Sequence, residues 1–269
     1  MNLKKLFKGT LAKQVLFPTI GILIIMFTIL TIVSSNQARK LVYNSEANSA
    51  FERTKEVTQI IVQLLEQTIT LSKQTTYDIN VLEGYKNKDF KRLNNYISTQ
   101  TQTEEFYESI FFTDTNGQII ASSISNTINN DATDLSFWNE ITKNNKSNYY
   151  DKIPFISPFT KKPIIHIASE IKDQQNQFVG IIIFAIDMNK FADIFTNHYK
   201  IANRGYFYLI DKESSVIMHP RHDLVLNEDY KNLPFSLQAL KSKDQYGIIQ
   251  YFFEGDNKTL TFGKIPMFE

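Results

Sequence analysis

Residues 178–188 read FVGIIIFAIDM, and this stretch decides the fold class. Its run of isoleucine and other apolar residues predicts a β-strand, because β-branched side chains pack well on a pleated sheet. The run is too short to span a bilayer and ends beside Asp187. A polar turn at 173–176 (DQQN) joins it to a second strand at 163–171. These two strands predict an antiparallel hairpin.

Another hairpin is predicted upstream. Strand patterns at 107–114 and 118–124 flank Thr115-Asn116-Gly117, and both Asn and Gly tolerate the positive φ of a tight turn. Residues 85–200 are therefore predicted to form an antiparallel sheet flanked by helices. The remaining elements of this region are a short helix around 137–141 and a helix from Asn189 to about residue 200.

The strand pattern then begins again on a smaller scale. The likeness to the first region lies in the layout and not in repeated sequence. We predict a second, incomplete sheet module at 201–269, so that the chain belongs to the α+β class. Its strand-like runs are 205–211, 216–218, 246–253 and 259–265, the last two around a turn at 255–257.

Upstream of both sheets lies a predicted long helix. Residues 37–82 contain no Pro or Gly, and we expect the helix to cover 36–84 and to end at Gly84. A shorter polar helix is predicted at 89–103. One seam repeats at spacings of four and three, as in a heptad pattern. It consists of Tyr43, Ala47, Ala50, Thr54, Val57, Ile61, Leu64, Thr68 and Leu71.

That seam admits two interpretations. The helix can pack its stripe against its own domain, or it can pair with a second copy of the chain and form a homodimer. Both can hold along one helix, the first near Leu64 and the second near Tyr43.

The N-terminal region contains a long apolar segment, which is the clearest local pattern in the sequence. Residues 15–33 (VLFPTIGILIIMFTILTIV) are uncharged and would span about 28 Å as a helix, close to the thickness of a bilayer core. Four lysines in 1–14 place the N-terminus in the cytoplasm by the positive-inside rule. We predict a cytoplasmic basic tail at 1–14, a transmembrane helix at 15–35 and an extracytoplasmic remainder after about residue 36. The alternatives are a cleaved signal peptide and a buried core helix.

Composition excludes several classes of function. The 269 residues include 29 basic and 28 acidic residues, so a nucleic-acid interface that depends on excess positive charge is not expected. The chain has no cysteine, which removes disulfides and thiolate metal sites. No phosphate-binding glycine loop and no hydrolase motif occurs. We therefore expect neither an enzyme nor a cofactor.

The order of these elements, together with several local motifs, resembles the double Cache sensor module of bacterial chemoreceptors and of some sensor kinases. The motifs are Phe137-Trp138, the strand 164–171, VGIIIFAIDM with Asp187, GYFYLID at 205–211, and His219-Pro220. The resemblance implies two tandem PAS-like modules, a membrane-distal one at 85–200 and a partial membrane-proximal one at 201–269. It also implies a methyl-accepting chemotaxis receptor that binds a small molecule in the distal module and signals by helix displacement.

Two positions depart from the amino-acid-binding members of that family. Leu135 stands where they have an Arg that grips the ligand carboxylate, and Asn130 stands where they have a Tyr. Asp187, which holds the ligand ammonium group in the family, is retained. The resemblance thus implies a site for a cation such as a cationic amine. A zwitterionic amino acid is disfavoured unless an Arg or Lys from another segment compensates.

The candidate site residues each have a structural alternative. Asp187 can hold an ammonium group or cap the helix that follows, and Trp138 can face a cation or belong to the core. The aromatic residues near Pro154 and Pro158 can line a pocket or pack on the sheet. The candidate ligand-binding residues are Asp187, Trp138, Phe137, Tyr149, Tyr150, Phe159 and Asp134.

The histidines are not expected to bind metal. His219 and His222 are separated by Pro220, which breaks any shared helical face, and His166 sits in mid-strand as a structural residue.

The sequence also allows two other kinds of protein besides a chemotaxis receptor. The sensor of a membrane histidine kinase or nucleotide cyclase, and a freestanding anchored binding protein, are the two alternatives. Since the sequence stops at Glu269 inside the second module, we expect it to be a partial sequence.

Overall fold

A computed structural model describes residues 15–199, 201 and 205–268. The predicted basic tail at 1–14 lies outside the described residues. The chain divides into two compact units, Met1–Ser49 and Ala50–Glu269, so both predicted sheet modules fall inside the second unit.

Six helices are described in the part of the chain that the structure covers. Their bounds are α1 Phe17–Thr75, α2 Ile79–Asn87, α3 Phe90–Thr101, α4 Ser136–Thr142, α5 Met188–His198 and α6 Pro234–Lys241. In α1, one stretch is long and apolar enough to cross a membrane by length and composition. The predicted membrane segment and the beginning of the predicted long helix are thus parts of one helix.

The long helix ends earlier than predicted, at Thr75 and not at Gly84. A turn follows, and the Asp78 carboxylate accepts the backbone N–H of Asn80 at 2.8 Å, which begins α2. Gly84 lies inside α2, where a Cβ would collide with the side chain of Leu93. This glycine therefore permits close packing of α2 on α3, and it does not end a helix.

The main sheet is antiparallel and has the strand order β2-β1-β6-β5-β3, with β4 also paired to β5. Both predicted hairpins of this region are present. The two short strands β3 and β4 were not predicted. The bounds are β1 Tyr107–Thr113, β2 Ile119–Ser122, β3 Asn148–Tyr150, β4 Phe155–Ile156, β5 Pro163–Lys172 and β6 Phe178–Asp187.

Strand β6 shows how the sheet separates two cores. Ile182, Phe184 and Ile186 point to a core shared with α1 and α5, whereas Ile181 and Ile183 point to the opposite face. Every residue of β6 from Gly180 to Asp187 is buried, in agreement with the uninterrupted apolar pattern.

The C-terminal half of α1 packs on the first of these cores. Val57, Ile61 and Leu65 are 2% exposed, so this half of the seam packs within its own domain. Hydroxyl groups on α1 also contact the strands. Thr68 lies 3.3 Å from the Tyr107 hydroxyl and Ser72 lies 2.6 Å from the Ser169 hydroxyl.

The region after α5 differs from the single second sheet that was predicted. The described residues form two separate hairpins, β7 Leu209–Ile210 with β8 Val216–Met218, and β9 Tyr246–Phe253 with β10 Asp256–Gly263. Strand β10 begins at Asp256, before the predicted residue 259. The reason is a two-residue turn in which Glu254 and Gly255 have φ of 52° and 85°. The helix α6 was not predicted.

Candidate functional site

The sheet face opposite α1 carries a second buried cluster, which we call the aromatic layer. It covers β1, β5 and β6 and is closed on the outside by α4. Its buried members are Phe111, Ile119, Ala132, Phe137, Trp138, Ile141, Ala168, Ile181 and Ile183, with Leu135, Tyr149, Phe159 and Phe178 half-buried around them.

The predicted aromatic pair lies on α4 and packs as part of this layer. The Phe137 ring is fully buried, 6.2 Å from the Phe111 ring. The Trp138 indole is 9% exposed and meets the Phe178 ring edge-on at 6.3 Å. Both rings are therefore core residues, and they cover this face of the sheet.

A buried carboxylate, Asp151, is the residue that sequence reasoning missed. It is 3% exposed and follows β3. Its Oδ1 accepts hydrogen bonds from the Ser136 hydroxyl at 2.7 Å and from the Tyr149 hydroxyl at 2.9 Å. Tyr149, one of the predicted site residues, thus packs against the layer and also donates a hydrogen bond to its buried carboxylate. Burial, and then the nearby Asp151 charge, raise the pKa of Tyr149 to about 12.

His166 is the second polar partner of Asp151. The backbone N–H of His166 donates to Asp151 Oδ2 at 2.8 Å, and the ring Nδ1 lies 3.2 Å from the same oxygen. Burial alone would raise the pKa of Asp151, but the contacts with His166 and Ser136 outweigh it and the net shift is downward. Asp151 is therefore held as an anion inside an apolar layer.

Aromatic rings surround the His166 imidazole, which is 1% exposed. The rings of Phe137 and Phe155 lie 5.2 and 4.9 Å from it, centroid to centroid. Ala185 on β6 lies between His166 on β5 and Ser109 on β1, because it pairs with both residues in the sheet. The neighbours of the histidine on this face are therefore small side chains. This combination of small floor residues, aromatic walls and a buried anion is the chemistry of a site for a small polar or cationic molecule.

Asp187 ends β6 and is the second buried carboxylate. Strand alternation places it on the same side as Ile181 and Ile183. It is 1% exposed. Its Oδ1 accepts the backbone N–H groups of Asn189 and Lys190 at 3.0 and 3.1 Å, so it caps α5. Its Oδ2 accepts a hydrogen bond from Lys162 Nζ at 2.9 Å. Asp187 is thus a helix cap, as the structural alternative for this residue predicted, and its second oxygen binds the ammonium group of Lys162.

The remaining predicted site residues are divided between the two faces and the surface. Phe159 packs against the aromatic layer. Tyr150 packs against the core on the α1 side, because neighbouring strand residues point in opposite directions. Asp134 is exposed and lies outside the layer. Leu135 packs against the layer directly before α4, where it offers a ligand no charge.

The histidines near the C-terminus each have a local partner. His219 Nδ1 accepts the backbone N–H of Arg221 at 2.8 Å, and burial lowers the pKa of this histidine. The His222 ring lies 3.1 Å from Asp193. Among the described residues, no group of three or more His, Asp or Glu side chains is placed to hold a metal ion.

A helix-backed antiparallel sheet with an enclosed polar and aromatic face defines an α+β ligand-binding module. The family model dCache_1, a Cache domain, matches residues 34–269. The chain belongs to the Cache domain family. The resemblance seen in the sequence is thereby confirmed.

Three relatives illustrate the likeness. The methyl-accepting chemotaxis protein PscA of Pseudomonas syringae is 23% identical over 222 residues, which is 81% of this chain. The chain spans 34% of the length of PscA. The ligand-binding domain of the Campylobacter jejuni chemoreceptor Tlp3, solved with 4-methylisoleucine, is 13% identical with a TM-score of 0.63. The match covers 81% of this chain and 85% of that one.

A domain of a putative sensory box/GGDEF family protein from Vibrio parahaemolyticus is 11% identical with a TM-score of 0.61. That match covers 82% of this chain and 97% of the domain. At these identities, the two solved structures show a shared fold.

Proposed function

We propose that this chain is the extracytoplasmic ligand-binding region of a transmembrane chemoreceptor. Its membership of the Cache domain family and its likeness to a methyl-accepting chemotaxis protein support this proposal. The apolar stretch in α1 supports a membrane anchor at 15–35, with residues 1–14 in the cytoplasm and those after about 36 outside it.

The ligand site of this proposal is the aromatic layer. The observation that carries it is the pair of buried carboxylates, Asp151 and Asp187, on one sheet face, with aromatic rings around His166, the partner of Asp151. A buried anion is costly unless it is paired, and both carboxylates are already paired within the protein, Asp151 with His166 and Asp187 with Lys162. A ligand ammonium group would bind here by taking the place of such a partner. The ligand is a small molecule that carries such a group, of which a cationic amine is the simplest form.

Signalling in this proposal proceeds by displacement of α1. This helix packs its Val57, Ile61 and Leu65 side chains on the core behind the sheet, and it also contains the candidate membrane segment. Ligand binding biases α1 only if the ligand has different affinities for two arrangements of the helix. Shifts of a few Å are enough in other helix switches.

A second output class keeps support from one observation. The fold is shared with a domain of a putative sensory box/GGDEF family protein, which supports the sensor of a nucleotide cyclase as the alternative. The ligand site and the displacement of α1 would be the same in that case, and only the cytoplasmic output would differ.

The proposed site is tested on the full chain in detergent micelles. Amines and amino acids are screened by calorimetry, and each hit is measured again with Asp187→Asn and Asp151→Asn. Asparagine retains the helix cap at position 187. We expect each substitution to weaken binding by about tenfold or more, since a charge-assisted contact is lost.

Asp193→Asn on α5 is the matched control. Asp193 is half exposed, so its neutralisation should leave the affinity unchanged. Unchanged affinity in Asp187→Asn would remove Asp187 from the site, and the absence of any hit with the unmodified chain would contradict the proposed function.

A further inference from the structure

The chain after α5 carries an aromatic cluster that is separate from the aromatic layer. Phe207 and Leu209 pack against the core on the α1 side. The Tyr206 and Tyr208 rings instead contact the His219 imidazole, at 4.9 and 5.9 Å between ring centroids. Alternate residues of this segment therefore make two different sets of contacts, and the two tyrosines belong to the second set.

Helix α6 and strand β9 complete this second set. The Phe235 ring on α6 stacks on the Tyr251 ring of β9 at 4.1 Å. Ser236, which is 2% exposed, hydrogen-bonds the Tyr208 hydroxyl. We call this set the tyrosine cluster, and its members are Tyr206, Tyr208, His219, Phe235, Ser236 and Tyr251.

The three tyrosine hydroxyls of the cluster lie near one another. Burial raises the pKa of Tyr208, the hydrogen bond with Ser236 opposes the rise, and Tyr251 and Tyr206 add to it. Burial, and then Tyr206, also raise the pKa of Tyr251. Since Tyr206 is 53% exposed, the cluster can be reached from solvent at this residue.

His219 supplies a further hydrogen-bond donor. Its ring is buried, and Nδ1 accepts the backbone N–H of Arg221 at 2.8 Å. Burial, and then the Arg221 charge, lower the pKa of His219, so the imidazole is neutral at pH 7 and carries its proton on Nε2. Among the described residues, no oxygen accepts this N–H. A buried donor without an acceptor is unfavourable, so a bound molecule that supplies an acceptor is favoured here.

The charges around the cluster favour a negative acceptor. Two acidic side chains act on the cluster, Asp223 on His219 and Glu254 on Tyr251. Both are largely exposed, and each is already paired, the first with Arg221 and the second with Lys258. The groups that remain are hydroxyls and an imidazole N–H, and such donors bind an anion more strongly than a neutral acceptor.

We propose that the tyrosine cluster is a second ligand site, which binds a small apolar molecule through its carboxylate group. The carboxylate accepts hydrogen bonds from His219 Nε2–H and from the Tyr206 and Tyr251 hydroxyls. The aromatic rings contact the apolar part of the molecule.

This site goes beyond the proposed function, because it uses no residue of the aromatic layer. The two sites also differ in the charge that they favour. Asp151 and Asp187 are buried anions that suit an ammonium group, whereas the tyrosine cluster offers hydrogen-bond donors. The two sites can therefore be tested independently.

The test uses the full chain in detergent micelles and matched probes. Acetate, butyrate and benzoate are titrated by calorimetry at pH 7, each beside its primary amide. The amide has nearly the same shape as the acid but carries no negative charge. We expect at least one acid to bind about tenfold more tightly than its amide, or more.

Substitutions in the cluster locate the site. Tyr206→Phe and Tyr251→Phe keep the rings and remove only the hydroxyls, so each should weaken binding of the acid by about tenfold. His219→Asn should do the same, because the amide oxygen can replace Nδ1 as acceptor while Nε2–H is lost. Tyr246→Phe, on the opposite face of β9, is the matched control and should leave the affinity unchanged. Asp187→Asn should also leave it unchanged.

Melting curves show whether each variant is folded, and the two tyrosine variants decide the question if His219→Asn does not fold. Equal affinities for every acid and its amide, or no binding of any acid, would overturn the second site. Unchanged affinity in folded Tyr206→Phe and Tyr251→Phe would do the same. Loss of acid binding in Asp187→Asn alone would place the carboxylate at the other site. None of these results would affect the binding of amines, on which the proposed function is tested.

Discussion

At the scale of single residues, one aspartate turn is used three times. In each case the Asp Oδ1 accepts the N–H groups two and four residues later, and the residue three positions later has positive φ. The turns begin at Asp114, Asp173 and Asp211, and their positive-φ residues are Gly117, Asn176 and Ser214, with φ of 88°, 62° and 65°. The first two turns are evident in the sequence because Gly and Asn mark them. The third lacks such a signal, since serine seldom adopts this conformation.

Ser214→Gly should therefore stabilise the protein. Glycine adopts positive φ without a clash, and the substitution also removes a buried hydroxyl that has no hydrogen-bond partner among the described residues. We expect the free energy of unfolding to rise by about 0.5–1 kcal/mol, measured by urea denaturation. Asn176→Gly should change it less, because asparagine already tolerates this conformation. A loss of stability in Ser214→Gly would show that the serine hydroxyl has a stabilising role.

The candidate site was only partly predictable residue by residue. The Phe137-Trp138 pair and Asp187 were identified from local sequence, and they lie at the cover and at the edge of one face. Asp151 was missed because its burial depends on Ser136, Tyr149 and His166, which a sequence does not place together. Tyr150 was assigned to the site because the strand β3 was not predicted. Neighbouring residues of a strand point to opposite faces of the sheet, so knowledge of β3 would have placed Tyr149 and Tyr150 on different faces.

At the scale of elements, the end of α1 shows what periodicity leaves out. Of the predicted seam between Thr54 and Thr68, every residue is buried except Leu64, which is half-buried. The helix break at 76–78 contains neither Gly nor Pro, so the sequence carried no strong stop signal. The break depends instead on the Asp78 side chain, which caps the next helix. Four strands of the main sheet, β1, β2, β5 and β6, were predicted from their strand patterns and from the turns between them, whereas the short strands β3 and β4 were missed.

The packing of β10 on α1 depends on one glycine. A Cβ on Gly263 would clash with the Thr58 hydroxyl and would lie 2.9 Å from the Tyr246 ring. We expect Gly263→Ala to lower the free energy of unfolding by about 1–3 kcal/mol through overpacking, measured by denaturant melts. Adding Thr58→Ala to the Gly263→Ala variant should restore part of the lost stability, because it removes the hydroxyl group that clashes with the new Cβ. Gly21→Ala, where a Cβ meets nothing within 4 Å, is the control. No effect in Gly263→Ala would mean that β10 moves away from α1 freely.

At the scale of the whole molecule, the sequence predicted the family and the order of its parts. It did not predict that both sheet regions would fall in one compact unit, because contacts between distant segments leave no local pattern. The pairing of two copies through α1 also stays a prediction. Since the seam from Thr54 onward is used within the domain, any pairing must use the part that precedes it.

Cross-linking in membranes tests that pairing. The chain has no cysteine, so Ala47→Cys introduces a single reactive thiol on the seam. We expect it to give a disulfide-linked dimer on mild oxidation. Ser49→Cys lies two residues further along and points to another side of the helix, so it should cross-link far less. Equal or absent adducts at both positions would count against a homodimer through this seam.

The hydroxyls on α1 have a consequence for motion. Thr54, Thr68 and Thr75 each touch a hydroxyl on a neighbouring element, yet each also hydrogen-bonds the carbonyl four residues before it in the helix. If the helix slides and these outer contacts separate, the threonine hydroxyls keep a partner and are not stranded in the protein interior. At these three threonines, sliding of the helix would therefore avoid much of the desolvation cost that buried polar groups usually impose.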